Sequence, residues 1–302
     1  GFAVAGRGGA RGLGAVGLVP ARRVRRRPKE VASLMATKIS DRAEVDPRAE
    51  IGDEVEIGPF CVVGPQVRIG RGSKLLANVS ILGRVTIGEE NRFYPGAVIG
   101  AEPQDLSYRG GDTQVVIGDG NVFREAVTVN RATEKESGVT SIGNDCFLMA
   151  CCHVAHDCAL GDRVVIANGT LLAGHVRIHH HATLSGNVGV HQFTTIGSYA
   201  FIGGLSRVLH DVPPYMLMEG NPSRPRCVNV VALRRNNFPP EYVEALSETH
   251  RLLFRAKVGL DQACEILRTQ GRLVPPVNHL LSFVQEQQEG RFGRARERRK
   301  AA

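Results

Sequence analysis

Cut into sixes, residues 142–208 read IGNDCF LMACCH VAHDCA LGDRVV IANGTL LAGHVR IHHHAT LSGNVG VHQFTT IGSYAF IGGLSR V, and an aliphatic residue opens every block. Neither the period of an amphipathic helix nor the alternation of an ordinary strand produces that spacing. Toward the N-terminus the same beat runs through Val45, Ile51, Ile57, Val63, Ile69, Leu75, Ile81, Ile87, Phe93 and Ile99, then Ile117, Phe123 and Val129. At Ile142 it has shifted by one residue. A hexapeptide period is the mark of a parallel β-helix, in which each block supplies one short strand and one turn. Three blocks close a triangular coil, and stacked coils bury a continuous aliphatic column. The residue four places after each aliphatic one also faces inward, and Cys61, Cys146, Cys152 and Cys158 hold that place.

The beat fails at residues 101–116 and 130–141, where inserted loops are expected to carry binding function. It ends after Pro213-Pro214, and a helical pattern follows from Glu241: Tyr242, Val243, Leu246, Leu252, Leu253, Leu260, Ala263 and Leu267, punctuated by prolines at 239–240 and 275–276. The expected organisation is a mainly β protein with four parts. These are a disordered Arg/Gly-rich extension over 1–34, a β-helix over 35–230, a helical domain over 231–290 and a basic tail over 291–302.

Composition narrows the function. The net charge is +8, but residues 1–34 carry +7 and 291–302 carry +5, leaving −4 on 35–290. A basic overall balance therefore gives no nucleic-acid surface on the ordered part, and 5% aromatic residues offer little for stacking bases. Seven cysteines, an odd number in a chain of 302 residues, argue against a disulfide framework and for a reducing, cytoplasmic setting. No run of apolar residues is long enough to span a bilayer, so no membrane insertion is expected. The opening segment lacks the layout of a secretory signal and the Ser of a transit peptide. It reads as upstream or disordered sequence whose removal leaves activity and stability unchanged.

Placing the chain on an 18-residue coil brings distant polar residues together. Val154, Leu172 and Val190 share one face. Beside them fall His153, His156, His175, His191 and Gln192, on coils separated by about 4.8 Å. His179, His180 and His181 fall on another face and read as a solvated turn. The Cys/His run Cys151-Cys152-His153, His156 and Cys158 has ligand-like spacing. Two of its cysteines belong to the core positions, however, so no metal and no cofactor is expected.

The segment His153-Val154-Ala155-His156-Asp157-Cys158 resembles the HxAHD motif of the bacterial acyl-[acyl-carrier-protein]:UDP-N-acetylglucosamine O-acyltransferases, the hexapeptide-repeat enzymes that begin lipid A synthesis. Glu102-Pro103-Gln104-Asp105-Leu106-Ser107-Tyr108 is similar to their Gln-Asp-Leu loop. Val190-His191-Gln192-Phe193, Asp211-Val212-Pro213-Pro214-Tyr215 and Glu219-Gly220-Asn221 follow the same pattern, over about residues 38–285. Departures stand at Pro222, Val231 and Asn236.

The resemblance implies a left-handed coil, a homotrimer, and transfer of a 3-hydroxyacyl group from acyl carrier protein to the 3-hydroxyl of UDP-N-acetylglucosamine. It assigns His156 as general base, Asp157 as its orienting partner and the Gly174 N–H as oxyanion donor. Gln104, Asp105, His153, His175, His191 and Gln192 are implied to contact substrate, and Asn229 and Arg235 to approach the nucleotide. Phe201 and Gly204 are implied to limit acyl length. Three alternatives share the coil: another hexapeptide acyl- or acetyltransferase, a trimeric zinc enzyme of the γ-carbonic anhydrase type, and a non-enzymatic scaffold.

Overall fold

A computed structural model describes residues 36–293. The expected extension over 1–34 and most of the tail over 291–302 lie outside the described residues. Strands of mostly two residues build three faces of eleven, nine and eight strands, parallel except at the last strand, and the chain visits the faces in rotation as far as Val208. The coils wind left-handed, an exception to the right-handed rule for parallel crossovers. That rule describes long connections packed on a sheet, whereas here each connection is a turn of four or so residues and the faces enclose the core themselves.

The aliphatic beat forms that core. Leu148, Val154, Ile166, Leu172, Leu184 and Ile202 are fully buried, and Cys61, Cys146, Cys152 and Cys158 fill the second inward position. Burial pushes the Cys146 and Cys152 thiols up to about 11, so these are packing groups rather than thiolates. Burial weakens toward the first described coil, where Ile39 is 47% exposed.

Most turns contain one residue in the left-handed region, and these residues stack in columns. Cys151, Gly169, Asn187 and Leu205 mark the edge between the first and second faces. Asp157, His175 and Phe193 mark the edge between the second and third, and Asp145, Arg163, His181 and Tyr199 the edge between the third and first. A left-handed conformation costs a non-glycine residue on the order of 1–2 kcal/mol. Stacking offsets that cost: the His175 and Phe193 rings lie 4.3 Å apart, and the His181 and Tyr199 rings 4.6 Å apart.

Both inserted loops leave from the edge between the second and third faces. Residues 102–113 join β11 (Val98–Ala101) to β12 (Gln114–Ile117), and residues 131–138 join β14 (Thr128–Asn130) to β15 (Val139–Ile142). They overhang the edge that carries His156 and His175.

Beyond Pro214 the sheet continues where the repeat pattern has already stopped. Strand β27 (Met216–Gly220) adds to the first face, and β28 (Ser223–Val228) folds back antiparallel. Four α-helices follow: α1 (Val230–Arg235), α2 (Pro240–His250) running into a π-turn, α3 (Leu260–Thr269) and α4 (Pro275–Gln288). Pro240 and Pro275 each sit in a first helical turn, where a missing N–H costs no hydrogen bond.

Helix α4 corrects one expectation. His179 meets Phe283 of α4 edge-on at 6.3 Å and His181 stacks on Tyr199, so His180 alone of the three is exposed. The Tyr215 hydroxyl and His279 Nδ1 share a 2.7 Å hydrogen bond that ties α4 to the coil.

Burial lowers the pKa of His179, His279 and His250. Their folded values lie below the unfolded value near 6.5, so the unfolded chain takes up protons first as the pH falls. The stability these groups contribute is complete above about pH 6.5 and is lost as the pH falls through their folded values. The melting temperature should therefore drop as the pH falls below about 6.5, and His279→Gln should flatten that slope. A pH-independent melting temperature over this range would contradict the burial of these rings.

Candidate active site

The outward residues of the second face form a column with one member per coil. Thr128 pairs with His153, His153 with Leu171, Leu171 with Gly189, and Gly189 with Arg207. Gly189 has nothing within 4 Å of a would-be Cβ, which leaves a gap between Leu171 and Arg207. A groove of about 520 Å³ runs over this column, with Gln104, His153, His156, Gly174, His191 and Gln192 among its lining residues.

Local backbone geometry concentrates the histidines. The left-handed turn at Asp157 and the equivalent one at His175, a coil later, direct both side chains to the same edge. The His156 and His175 rings meet edge to face at 5.2 Å. His156 Nδ1 lies 2.8 Å from Asp157 Oδ2, and Thr133 donates to the same oxygen from its N–H at 3.1 Å and its hydroxyl at 2.7 Å. Burial acts to raise the Asp157 pKa, but the hydrogen bonds from His156 and Thr133 outweigh it and the net shift is downward. An ionised Asp157 accepts a hydrogen bond from Nδ1–H, which leaves the Nε2 lone pair of His156 facing the groove. Behind Nε2 the backbone of Gly174 comes so close that a Cβ there would lie 2.5 Å from Cε1 and 2.7 Å from Nε2.

The two loops complete the rim. Asp105 Oδ2 stands 4.0 Å from His156 Nε2 and bonds Lys135 Nζ. Its Oδ1 accepts from the N–H and hydroxyl of Ser107. Burial opposes ionisation of Asp105, yet these donors hold its carboxyl far below the usual range. Glu136 reaches toward His175 Nδ1 at 3.6 Å and Arg177 at 3.7 Å. His153 shares a 2.8 Å hydrogen bond with Thr128, and burial, then the charge of His156, lowers its pKa. His191 Nδ1 donates to the Gln192 carbonyl at 3.2 Å.

Of the residues expected from sequence, Gln104, Asp105, His153, His156, Asp157, Gly174, His175, His191 and Gln192 converge here. Asn229 and Arg235 do not. Asn229 caps α1 and donates to the Tyr199 carbonyl, on the edge between the third and first faces. Phe201 lies on the first face and Gly204 on the turn that follows it, outside the groove lining. Thr133, Lys135, Glu136, Leu171 and Arg207 escaped the sequence reading. For Leu171 and Arg207 the signal was present, since 153, 171, 189 and 207 are spaced by one coil. The other three lie on an insertion that has no register.

Comparison with known proteins gives one consistent picture. Residues 211–292 match a model described as UDP N-acetylglucosamine O-acyltransferase, domain 2, and residues 66–101 and 140–174 match the bacterial transferase hexapeptide model. The chain is 44% identical over 219 residues to an acyl-[acyl-carrier-protein]–UDP-N-acetylglucosamine O-acyltransferase of a Synechocystis species, covering 71% of this chain and 78% of that one. A solved UDP-N-acetylglucosamine acyltransferase from Bacteroides fragilis superposes with a TM-score of 0.79 at 37% identity, covering 82% of this chain and 96% of the other. The Arabidopsis enzyme of the same description superposes with a TM-score of 0.73 at 32% identity, covering 87% of this chain and 99% of that one.

Proposed function

The chain belongs to the acyl-[acyl-carrier-protein]–UDP-N-acetylglucosamine O-acyltransferase family, and on that premise we propose how its groove carries out the transfer. The enzyme moves a 3-hydroxyacyl group from acyl carrier protein to the 3-hydroxyl of UDP-N-acetylglucosamine, the first step of lipid A synthesis. The observation that carries the mechanism is the His156–Asp157 pair, whose 2.8 Å bond leaves Nε2 open to the groove.

A sugar hydroxyl is a poor nucleophile at neutral pH and needs a base. Nε2 of His156 takes its proton as the hydroxyl oxygen attacks the thioester carbonyl, and Asp157 stabilises the resulting imidazolium. The backbone N–H of Gly174 donates to the developing oxyanion. Collapse breaks the carbon–sulfur bond, and the proton held on Nε2 passes to the departing thiolate. Asp105, fixed by Lys135 and Ser107, accepts a hydroxyl of the sugar, while Gln104, His153, His175, His191 and Gln192 hold the sugar, phosphate and acyl hydroxyl. No covalent acyl-enzyme and no cofactor enters this scheme.

We further infer a homotrimer with sites between subunits. Asn229 and Arg235 serve the nucleotide in this scheme, but Asn229 is bonded at a different edge from His156 within one chain and Arg235 ends the short helix that Asn229 caps, so a neighbouring subunit supplies them. Exposed Leu106, Leu171 and Leu205 offer apolar surface for that contact. Arg234, Arg235 and Arg255 on the helical domain suit an acidic carrier protein. Among the described residues no helix is long and apolar enough to cross a membrane, and the free cysteines fit the reducing cytoplasm.

Incubating the protein with UDP-N-acetylglucosamine and a panel of 3-hydroxyacyl carrier proteins tests the reading, and no 3-O-acylated product from any donor would defeat it. Donors of the 3-hydroxymyristoyl class should lead. Gly204 has only the Gly186 carbonyl at 3.5 Å and Ser185 Cβ at 3.9 Å near a would-be Cβ, so a larger side chain fits without disturbing the coil. Gly204→Met should accordingly shift preference toward shorter donors by filling the end of the acyl path. An unchanged donor ranking in that variant would remove Gly204, and with it Phe201, from the control of chain length.

A further inference from the structure

Beneath the His156 ring, three donor atoms from two consecutive coils face one another. One ring nitrogen of His156, an oxygen of Asp157 and one ring nitrogen of His175 all lie within 4.8 Å of one another. Asp157 Oδ2 is 2.8 Å from His156 Nδ1 and 3.8 Å from His175 Nε2. Two imidazole nitrogens and a carboxylate oxygen form a donor set suited to zinc and its neighbours in the first transition row, with bonds of about 2.0–2.2 Å. Ligands at that length around a tetrahedron stand about 3.4 Å apart. Two of the three separations bracket this value and the third is at most 4.8 Å, so the two rings close on an ion by about 1.4 Å at most.

The surroundings are those of a built site. Glu136 Oε1 lies 3.6 Å from His175 Nδ1, in the place from which a carboxylate orients a metal-bound imidazole. Thr133 fixes Asp157 through two hydrogen bonds. The second Asp157 oxygen, Oδ1, is buried and has no hydrogen-bond partner in the structure, which leaves its lone pairs available. This cluster is distinct from the Cys/His run that spacing alone suggests. Cys152 and Cys158 of that run point into the core and donate to the Ala167 and Ala173 carbonyls.

We propose that His156, Asp157 and His175 form a binding site for one zinc-class divalent ion per chain, and that its occupation switches the enzyme off. A neutral imidazole has one N–H. Coordination through Nδ1 moves that proton to Nε2, the atom that must accept the hydroxyl proton, and it also draws Asp157 away from the ring. The inhibitory half rests on the role given to His156 above; the binding half does not.

The test uses the full chain, stripped with a chelator and titrated with Zn²⁺ against a chromophoric competitor, with Co²⁺ absorption as a second readout. One ion should bind per chain with a Kd of about 10 μM or tighter, giving the visible bands of four-coordinate cobalt. His175→Ala and Asp157→Asn should each weaken binding by about 100-fold, and Glu136→Gln by about tenfold. Turnover of the wild type should fall as the site fills and return with excess chelator. No binding at about 100 μM zinc, or binding unchanged in both ligand variants, would overturn the site and assign any bound ion to surface histidines. Binding at this site with turnover retained would instead overturn the inhibitory half, and with it Nε2 as the base. Retained Glu136→Gln melting behaviour guards against loss of fold as the cause of weakened binding.

Discussion

His156→Ala should reduce turnover by at least about 1000-fold, within the range that a general base contributes, while the coil stays folded. The side chain leaves the coil at its edge, and the aliphatic column beneath it, Val154 and Leu172, is fully buried and independent of the ring. Circular dichroism and melting temperature would establish the intact fold, and product formation from a 3-hydroxyacyl carrier protein would give the rate. Wild-type turnover in this variant would remove the mechanism. Asp157→Asn should be milder, with a loss of about tenfold. An asparagine can place its carbonyl oxygen at the Oδ2 position, where it still accepts from Thr133 and from His156 Nδ1. Its amide then occupies the position of Oδ1, which has no partner to lose.

Gly174→Ala should lower kcat/KM by about 100-fold, about as much as losing a positioned base or oxyanion donor. A methyl group there would sit 2.5 Å from His156 Cε1 and 2.7 Å from Nε2, closer than real side-chain contacts allow. The ring cannot simply withdraw, because its Nδ1 is bonded to Asp157 on one side and its face meets His175 on the other. It must swing into the groove, carrying Nε2 away from the hydroxyl. The fold should tolerate the change, since the displaced group is a side chain at the rim. Gly259→Ala, just ahead of α3 and outside the groove lining, is the control, because its methyl group meets nothing within 4 Å. Full activity in Gly174→Ala would mean that the ring works from a position other than the one described.

The coil was legible in the sequence because every block of six repeats the same physical demand, one aliphatic side chain pointing inward. Coil spacing likewise aligns His153, His156, His175 and His191 from the sequence alone. What escaped lies where that demand lapses. Strand β27 joins the first face without the six-residue beat, and its partner β28 runs the opposite way. The three-histidine turn looked solvated because nothing local to it announces helix α4, which arrives from a hundred residues away to cover His179. Thr133, Lys135 and Glu136 sit on an insertion whose path is set by what it bonds, namely Asp157, Asp105 and His175.

That division gives the active site two different kinds of mutability. His153, His156, His175 and His191 are written in a fixed frame of one coil, so a single-residue insertion upstream within a block would turn each of them onto the wrong part of the prism. Gln104, Asp105, Lys135 and Glu136 hang from loops that leave and rejoin the coil at one edge, and even the one-residue change of phase between Val129 and Ile142 is absorbed in the second of them. Chain length is therefore free to change on the lid side of the groove and forbidden on its floor. New sugar preferences are open to insertion and deletion, whereas the proton-transfer apparatus can be altered only by substitution, one side chain at a time.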